Sequence, residues 1–125
     1  MSEKIKVLLV EDDKFLSEMY VTKLQGNGFD VETAFDGEEA LVKVKEFGPK
    51  LVFLDIVLPK KDGFEVLAAL KEGGFLKDMK VIALTNLGQK EEVAKGIALG
   101  ASDYIVKAHF TPTEVVAKAK KVLGI

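Results

Sequence analysis

Three uninterrupted apolar tetrapeptides constrain this chain more than any other feature: Val7-Leu8-Leu9-Val10, Leu51-Val52-Phe53-Leu54 and Val81-Ile82-Ala83-Leu84. A run with no polar alternate position implies a strand covered on both faces, as in a parallel sheet between helices. Tyr104-Ile105-Val106 is a shorter run of the same kind. Asp30-Val31-Glu32-Thr33-Ala34 alternates instead, as an edge strand does. Between the runs, apolar residues recur at helical spacing. Leu16, Tyr20 and Leu24 follow Asp13, and Gly26 and Gly28 close that stretch; Ala40, Leu41, Val44 and Phe47 follow Asp36. Phe64, Leu67 and Leu70 follow Asp62 and stop at Gly73-Gly74; Val93, Ile97 and Ala98 stop at Gly100. The last helix is predicted from a capping box, Thr111 with Glu114 three residues on and Pro112 between, ahead of Val115, Ala119, Val122 and Leu123. Strand and helix alternate five times. Right-handed crossovers then require an α/β domain, a parallel sheet with helices on both faces.

Composition narrows the classes. A chain of 125 residues fits one domain, 1–125, and 48% hydrophobic with 30% charged residues excludes a disordered chain. With no cysteine there is no disulfide or thiolate metal site. The apolar run near the amino end is too short for a signal peptide or a membrane span, so a cytoplasmic, membrane-free location is expected. Net charge is −2, every basic residue is lysine, and the lysines are scattered along the chain. Nucleic acid is therefore not an expected partner.

In a doubly wound sheet, ligands sit beyond the carboxyl ends of the strands. There the runs end in Glu11-Asp12-Asp13, Asp55, Thr85-Asn86 and Lys107. Parallel strands would bring these ends to one rim. Crowded carboxylates repel and raise each other's pKa, and a hard divalent cation relieves that repulsion. Magnesium takes oxygen ligands, and no histidine or cysteine in the pattern favours zinc. Asp55 would act as nucleophile toward a metal-polarised phosphoryl group and form an acyl phosphate. Lys107 would neutralise phosphoryl charge, and the Thr85 hydroxyl would donate to a phosphoryl oxygen. Asp13 is assigned to a helix cap, Asp62-Gly63 to a turn and cap, and His109 to a solvated loop.

"VLLVEDD", "LVFLDIVLPKKDG", "VIALTN" and "DYIVK", in this order and spacing, resemble the receiver domain of bacterial two-component response regulators across essentially the whole chain. The resemblance implies a doubly wound five-stranded parallel sheet in the order 2-1-3-4-5 with five helices. It implies that Asp55 accepts phosphoryl from a sensor histidine kinase or a phosphotransfer protein. It implies that Asp12, Asp55 and the Val57 carbonyl ligate Mg2+, with Glu11 acting through water. Thr85 and Tyr104 would be a coupled switch, Lys107 the phosphoryl-binding lysine. The expected output is a downstream protein target, met through the fourth helix, fifth strand and fifth helix, and a phosphorylation-dependent dimer is a further partner state. Signals from Gln89 to Gly100 and at Tyr104 should then respond to a phosphoryl mimic. The family usually places a proline, joined by a cis bond, directly after the lysine. Here that residue is Ala108, where a cis bond would cost about 3–4 kcal/mol, so a trans bond is expected. Positions that usually hold water-orienting polar residues carry Val57 and Leu87, and Asn86 adds bulk beside them.

Other classes fit less well. A haloacid-dehalogenase-type hydrolase needs a second acid two residues after the nucleophile, where this chain has Val57. A flavin carrier needs a phosphate-cradling loop after the first strand, where the acids of "VEDDKF" would repel phosphate. The alternative within the same fold is a phosphorylation-independent protein-interaction module, against which the intact Glu11, Asp12, Asp55, Thr85 and Lys107 set argues.

Overall fold

The structure, a computed structural model, describes residues 4–86 and 90–125. Leu87 and Gln89, which entered the expectations above, lie outside the described residues. Five strands, β1 (Ile5–Val10), β2 (Phe29–Ala34), β3 (Leu51–Asp55), β4 (Lys80–Thr85) and β5 (Asp103–Val106), form one parallel sheet in the order β2-β1-β3-β4-β5. Helices α1 (Lys14–Gly26), α2 (Gly37–Phe47), α3 (Gly63–Glu72), α4 (Lys90–Ala98) and α5 (Pro112–Leu123) make the crossovers, with short 3-10 turns at Phe75–Lys77 and Lys107–His109. The alternating β2 is an edge strand, as its pattern requires.

Burial on both faces follows from the period of two in a strand. Leu8, Val10, Val52 and Leu54 pack under α2 and α3 with Val44, Val66 and Leu70. Their neighbours in sequence, Val7, Leu9, Leu51 and Phe53, pack under α1 and α5 with Tyr20, Leu24 and Val115. Each fully buried large side chain contributes about 1.5–3 kcal/mol of transfer energy.

Four helices begin with side-chain caps at the carboxyl end of the sheet. Asp13 Oδ1 accepts from Leu16 N at 3.1 Å, Asp36 Oδ1 from Glu39 N at 2.8 Å and Asp62 Oδ1 from Glu65 N at 2.9 Å. Thr111 and Glu114 complete the expected capping box. Capping satisfies amides that the first helical turn leaves without a carbonyl partner.

Helix α4 departs from its sequence pattern. Val93, Ile97 and Ala98 read as a core-facing stripe, yet Gly96 is the one buried residue of this helix; Val93 is half-buried, and Ile97 and Ala98 are exposed. This glycine faces Ala83, whose Cβ would be in ordinary contact, 3.9 Å, with a Cβ at position 96. With position 96 toward the sheet, Ile97 and Ala98 are turned outward.

Gly63 fixes where β3 hands over to α3. Its N–H donates to the Ile56 carbonyl at 2.8 Å, and a Cβ there would fall 2.6 Å from Ile56 Cα and 3.0 Å from the Asp55 carbonyl carbon. Gly63→Ala should therefore lower stability by about 1–3 kcal/mol in urea denaturation, the usual cost of overpacking. Gly26→Ala, with open space around it, should cost nothing in the same measurement. Equal effects of the two substitutions would contradict this packing.

Candidate functional site

The carboxyl ends of β1, β3, β4 and β5 converge as the topology requires. Three carboxylates meet there: oxygens of Glu11, Asp12 and Asp55 all lie within 4.8 Å of one another. Glu11, Asp55 and Thr85 are buried, whereas Asp12 is exposed. Glu11 is held by the sheet itself, its N–H donating to the Ala34 carbonyl of β2 at 3.1 Å. Asp55 ends β3 beside Leu84, whose carbonyl accepts from Ile56 N at 3.1 Å.

Lys107 occupies the centre. Its Nζ donates to Asp55 Oδ2 at 2.7 Å and to Glu11 Oε1 at 2.9 Å, with the lysine side chain 13% exposed. The second oxygen of Asp55, Oδ1, accepts from Val57 N at 3.0 Å, and Glu11 Oε2 accepts from Asp13 N at 3.1 Å. Both Asp55 oxygens are thus engaged, and the carboxylate has one orientation. The acid pair was expected to stay uncompensated until a cation arrived. Instead the ammonium already bonds both acids and offsets one of their two charges.

Electrostatics follow from this packing. Burial pushes the Glu11 carboxyl from 4.5 up to about 7, against the lowering effect of the Lys107 hydrogen bond and the Asp13 amide; the charge of Asp55 pushes it further up. Burial works against the Lys107 ammonium, but its hydrogen bonds to Asp55 and Glu11, with their charges, more than offset it and raise its pKa. The hydroxyl of Tyr20, fully buried, feels burial first and then the charge of Glu11, both of which raise its pKa. It has no hydrogen-bond partner among the described residues.

The remaining residues flank this centre. Thr85 pairs with Val106 and Ala83 with Tyr104, so Thr85 and Tyr104 stand on the same face of the sheet, two register positions apart. Tyr104 is 39% exposed and Val57 61% exposed. His109 is exposed and Asp13 serves as a cap, as expected. No cis peptide bond occurs among the described residues, and Lys107-Ala108-His109 form a 3-10 turn.

Two supports were not read from the sequence. The loop after Asp55 is braced on α2: Gly37 N donates to the Pro59 carbonyl at 3.4 Å, Lys60 Nζ lies 3.6 Å from Asp36 Oδ2, and a Cβ at position 37 would run into the Lys61 carbonyl. Lys60 itself adopts φ +66, with Lys61 N donating to the Pro59 carbonyl at 2.7 Å, a γ-turn bond. The "PKKDG" stretch signals a turn, but nothing in it names α2 as the brace. Secondly, Phe15 of α1 is 75% exposed next to the acids. With Met19 and Pro112 it lines an apolar cleft of about 500 Å3 between α1 and α5.

Comparison with known proteins agrees with this geometry. Residues 7–120 match the family model described as the response regulator receiver domain. The chain is 40% identical over 121 residues to the "Probable transcriptional regulator ycf27" of Porphyridium aerugineum, covering 97% of this chain and 49% of that protein. It is 38% identical over 118 residues to the "Alkaline phosphatase synthesis transcriptional regulatory protein PhoP" of Bacillus subtilis, covering 94% and 48%. The chain thus spans about half the length of the curated relatives it matches. Among solved structures, the Francisella response regulator 1452 receiver domain superposes with a TM-score of 0.88 at 30% identity, covering 95% of this chain and 96% of that one.

The raised Glu11 pKa sets a pH dependence for the metal-free protein. The folded state holds this proton more tightly than the unfolded chain. That stabilisation is complete below pH 4.5 and lost as pH rises to about 7. The stability of the native protein minus that of Glu11→Gln should therefore fall across this window in denaturant melts with chelator. A difference that stays flat from pH 4.5 to 8 would contradict the assignment.

Proposed function

Because the chain belongs to the response regulator receiver domain family of two-component systems, we propose that Asp55 is its phosphoacceptor and that a sensor histidine kinase or phosphotransfer protein is its donor. The observation that carries this reading is one rigid carboxylate, Asp55, held by the Lys107 ammonium and the Val57 amide at an acid-lined rim. A carboxylate oxygen forms the new P–O bond as the P–N bond of the donor phosphohistidine breaks, and the electron pair leaves on the imidazole nitrogen. Fixed orientation gives Asp55 its reactivity, and Lys107 meets the anionic oxygens that arrive. Transfer and slow self-dephosphorylation make this a switch that acts on itself rather than an enzyme with turnover on other substrates.

The donor set fits a magnesium ion. Glu11, Asp12 and Asp55 offer only oxygen, within the spacing that a hard cation spans. Asp12 and Asp55 would hold it with the Val57 carbonyl, and Glu11 would act through water. When bound, the ion would polarise the phosphoryl group and offset its charge. The cleft at Phe15, Met19 and Pro112 opens beside the rim and suits docking of the donor protein.

Packing supports the switch. Thr85 and Tyr104 share a face, and α4, which crosses that face, buries only a glycine. An element so lightly anchored has a low cost of rearrangement. Phosphorylation would favour a conformer in which Thr85 turns to the phosphoryl group and Tyr104 turns inward, a shift among states already sampled. The face of α4, β5 and α5 would then present a changed surface, with Ile97 and Tyr104, to a protein target or a second copy. We place this activity in the cytoplasm, with no direct nucleic-acid or membrane contact by this segment; no helix among the described residues is long and apolar enough to cross a membrane.

Acetyl phosphate with magnesium should add one phosphoryl group by intact mass, and Asp55→Asn should take up none. An unmodified wild type would sink the phosphoacceptor reading and favour the phosphorylation-independent module. Millimolar magnesium should raise the melting temperature of wild type and leave Asp12→Ala nearly unchanged. Saturation at about 100 times the dissociation constant is worth about 2.7 kcal/mol. Equal shifts in both proteins would remove Asp12 from the metal site.

The phosphorylated state should also be long-lived. Val57, exposed beside the acceptor, and Leu87 cannot orient an attacking water. One missing water contact of about 1.4 kcal/mol slows hydrolysis about tenfold. Decay of the phosphorylated protein should accelerate in Val57→Asn/Leu87→Glu; decay no faster than wild type would contradict the idea.

A further inference from the structure

The lysines that lie scattered along the chain are gathered by the topology at the end of the sheet opposite Asp55. Lys4 precedes β1 and Lys6 is its second residue, Lys50 precedes β3, Lys77 ends the turn before β4 and Lys80 begins that strand. Backbone bonds stitch three of them side by side: Lys50 N donates to the Lys6 carbonyl at 2.9 Å, and Lys80 N to the Lys50 carbonyl at 3.0 Å. All five are exposed, and none forms an ion pair among the described residues. They belong to strand starts and connections. The last turns of α-helices, where the helix dipole alone accounts for lysines, lie elsewhere in the sequence. Asp30, beside Lys6 in register, and Asp78 are acids of the same end.

This pole is not merely charged. A cleft of about 390 Å3 opens in it, floored by Ile5, Met79, Val122 and Leu123 and edged by Lys50, Lys77 and Lys80, with Asp78 the one acid among them. A second hollow, with Lys4 and Lys6 on its walls, shares Ile5 and Lys50 with the first. Apolar floor and cationic edge are therefore continuous. Like charges set side by side repel, and an anionic partner relieves them.

We propose that this pole is a docking surface for an acidic protein segment, one that seats an apolar side chain in the cleft and places flanking carboxylates on the lysines. Three observations favour that occupant over other polyanions. The apolar surface is concave, so it receives a side chain rather than inserting into a bilayer. The chain has no arginine to grip phosphates in a bidentate manner. The rings at this end, Phe47 5.4 Å beneath Lys6, Phe75 and Phe29, are half-buried or buried and not free to stack a base. The five residue steps from Lys6 to Glu11 span roughly 16 Å at about 3.3 Å per step, so a segment bound here leaves the acid rim open.

Amide NMR should test this on the unphosphorylated protein with a synthetic peptide of one leucine flanked by three glutamates on each side. Saturable shifts are expected at Ile5, Lys50, Lys80 and Val122, with none at Glu11 or Asp55. Affinity should fall at least tenfold in Lys50→Glu/Lys80→Glu and less in Lys50→Gln/Lys80→Gln. The same peptide with serine for leucine should bind more weakly. Unchanged melting temperatures would show that the variants fold, and their uptake of phosphoryl from acetyl phosphate should match wild type. The proposal is overturned by absence of saturable shifts, or by shifts confined to the rim. It is equally overturned if oligo-dT or phosphatidylserine vesicles bind more tightly at these lysines than the peptide does. Self-association that disappears in the glutamate variant would assign the pole to a second copy and also overturn it.

Discussion

One ammonium holds the site together. Lys107 lies 96 residues from Glu11 and 52 from Asp55 in sequence, yet its Nζ reaches both carboxylates within 3 Å. Two buried acids cannot stay ionised side by side without a counter-charge, and leaving one unpaired would cost several kcal/mol. The constraint runs in both directions. The acids raise the lysine's pKa and keep it charged, and the lysine limits how far burial raises Glu11. A buried ion triple of this kind is not a strong source of stability, because desolvation offsets much of the attraction. What it supplies is geometry: a carboxylate with both oxygens committed, at the end of a rigid strand.

The rest of the fold is arranged around that geometry. β3 is buried along its whole length and ends at the acid. Gly63 packs against the Asp55–Ile56 peptide and allows α3 to start there, while Gly37 and Asp36 brace the loop between them from α2. These elements are stiff. By contrast α4 rests on the sheet through Gly96. Rigidity at Asp55 and looseness one strand away are the two properties that the proposed phosphorylation switch would use: a change in charge at a fixed point, and an element whose position can answer it.

Much of this could be read from the sequence, and the reasons differ by residue. The apolar tetrapeptides fix strand burial, and strand ends in an α/β fold fix where Glu11, Asp55, Thr85 and Lys107 meet. Caps at Asp13, Asp36, Asp62 and Thr111 are local chemistry, so local sequence reports them. Ile97 and Ala98 were misread as core because a helical stripe does not say which side faces the sheet when a glycine shares the turn. The dual bond of Lys107 was missed for another reason. Sequence showed a lysine near acids, but not that its amine bonds both of them at once. The lysine pole was invisible because its members are neighbours only across strands β1, β3 and β4. The contact of Gly37 with Lys61 is likewise a meeting of separate segments.

The central claim is that Lys107 and Asp55 act as one electrostatic unit. A double-mutant cycle in metal-free buffer at pH 8, with Lys107→Met, Asp55→Asn and both together, measures it most directly through unfolding free energies. The account predicts that Lys107→Met is much less harmful once Asp55 is neutral, with a coupling energy at the upper end of the usual range of about 0.5–3 kcal/mol. Additive effects, with no coupling beyond error, would contradict it.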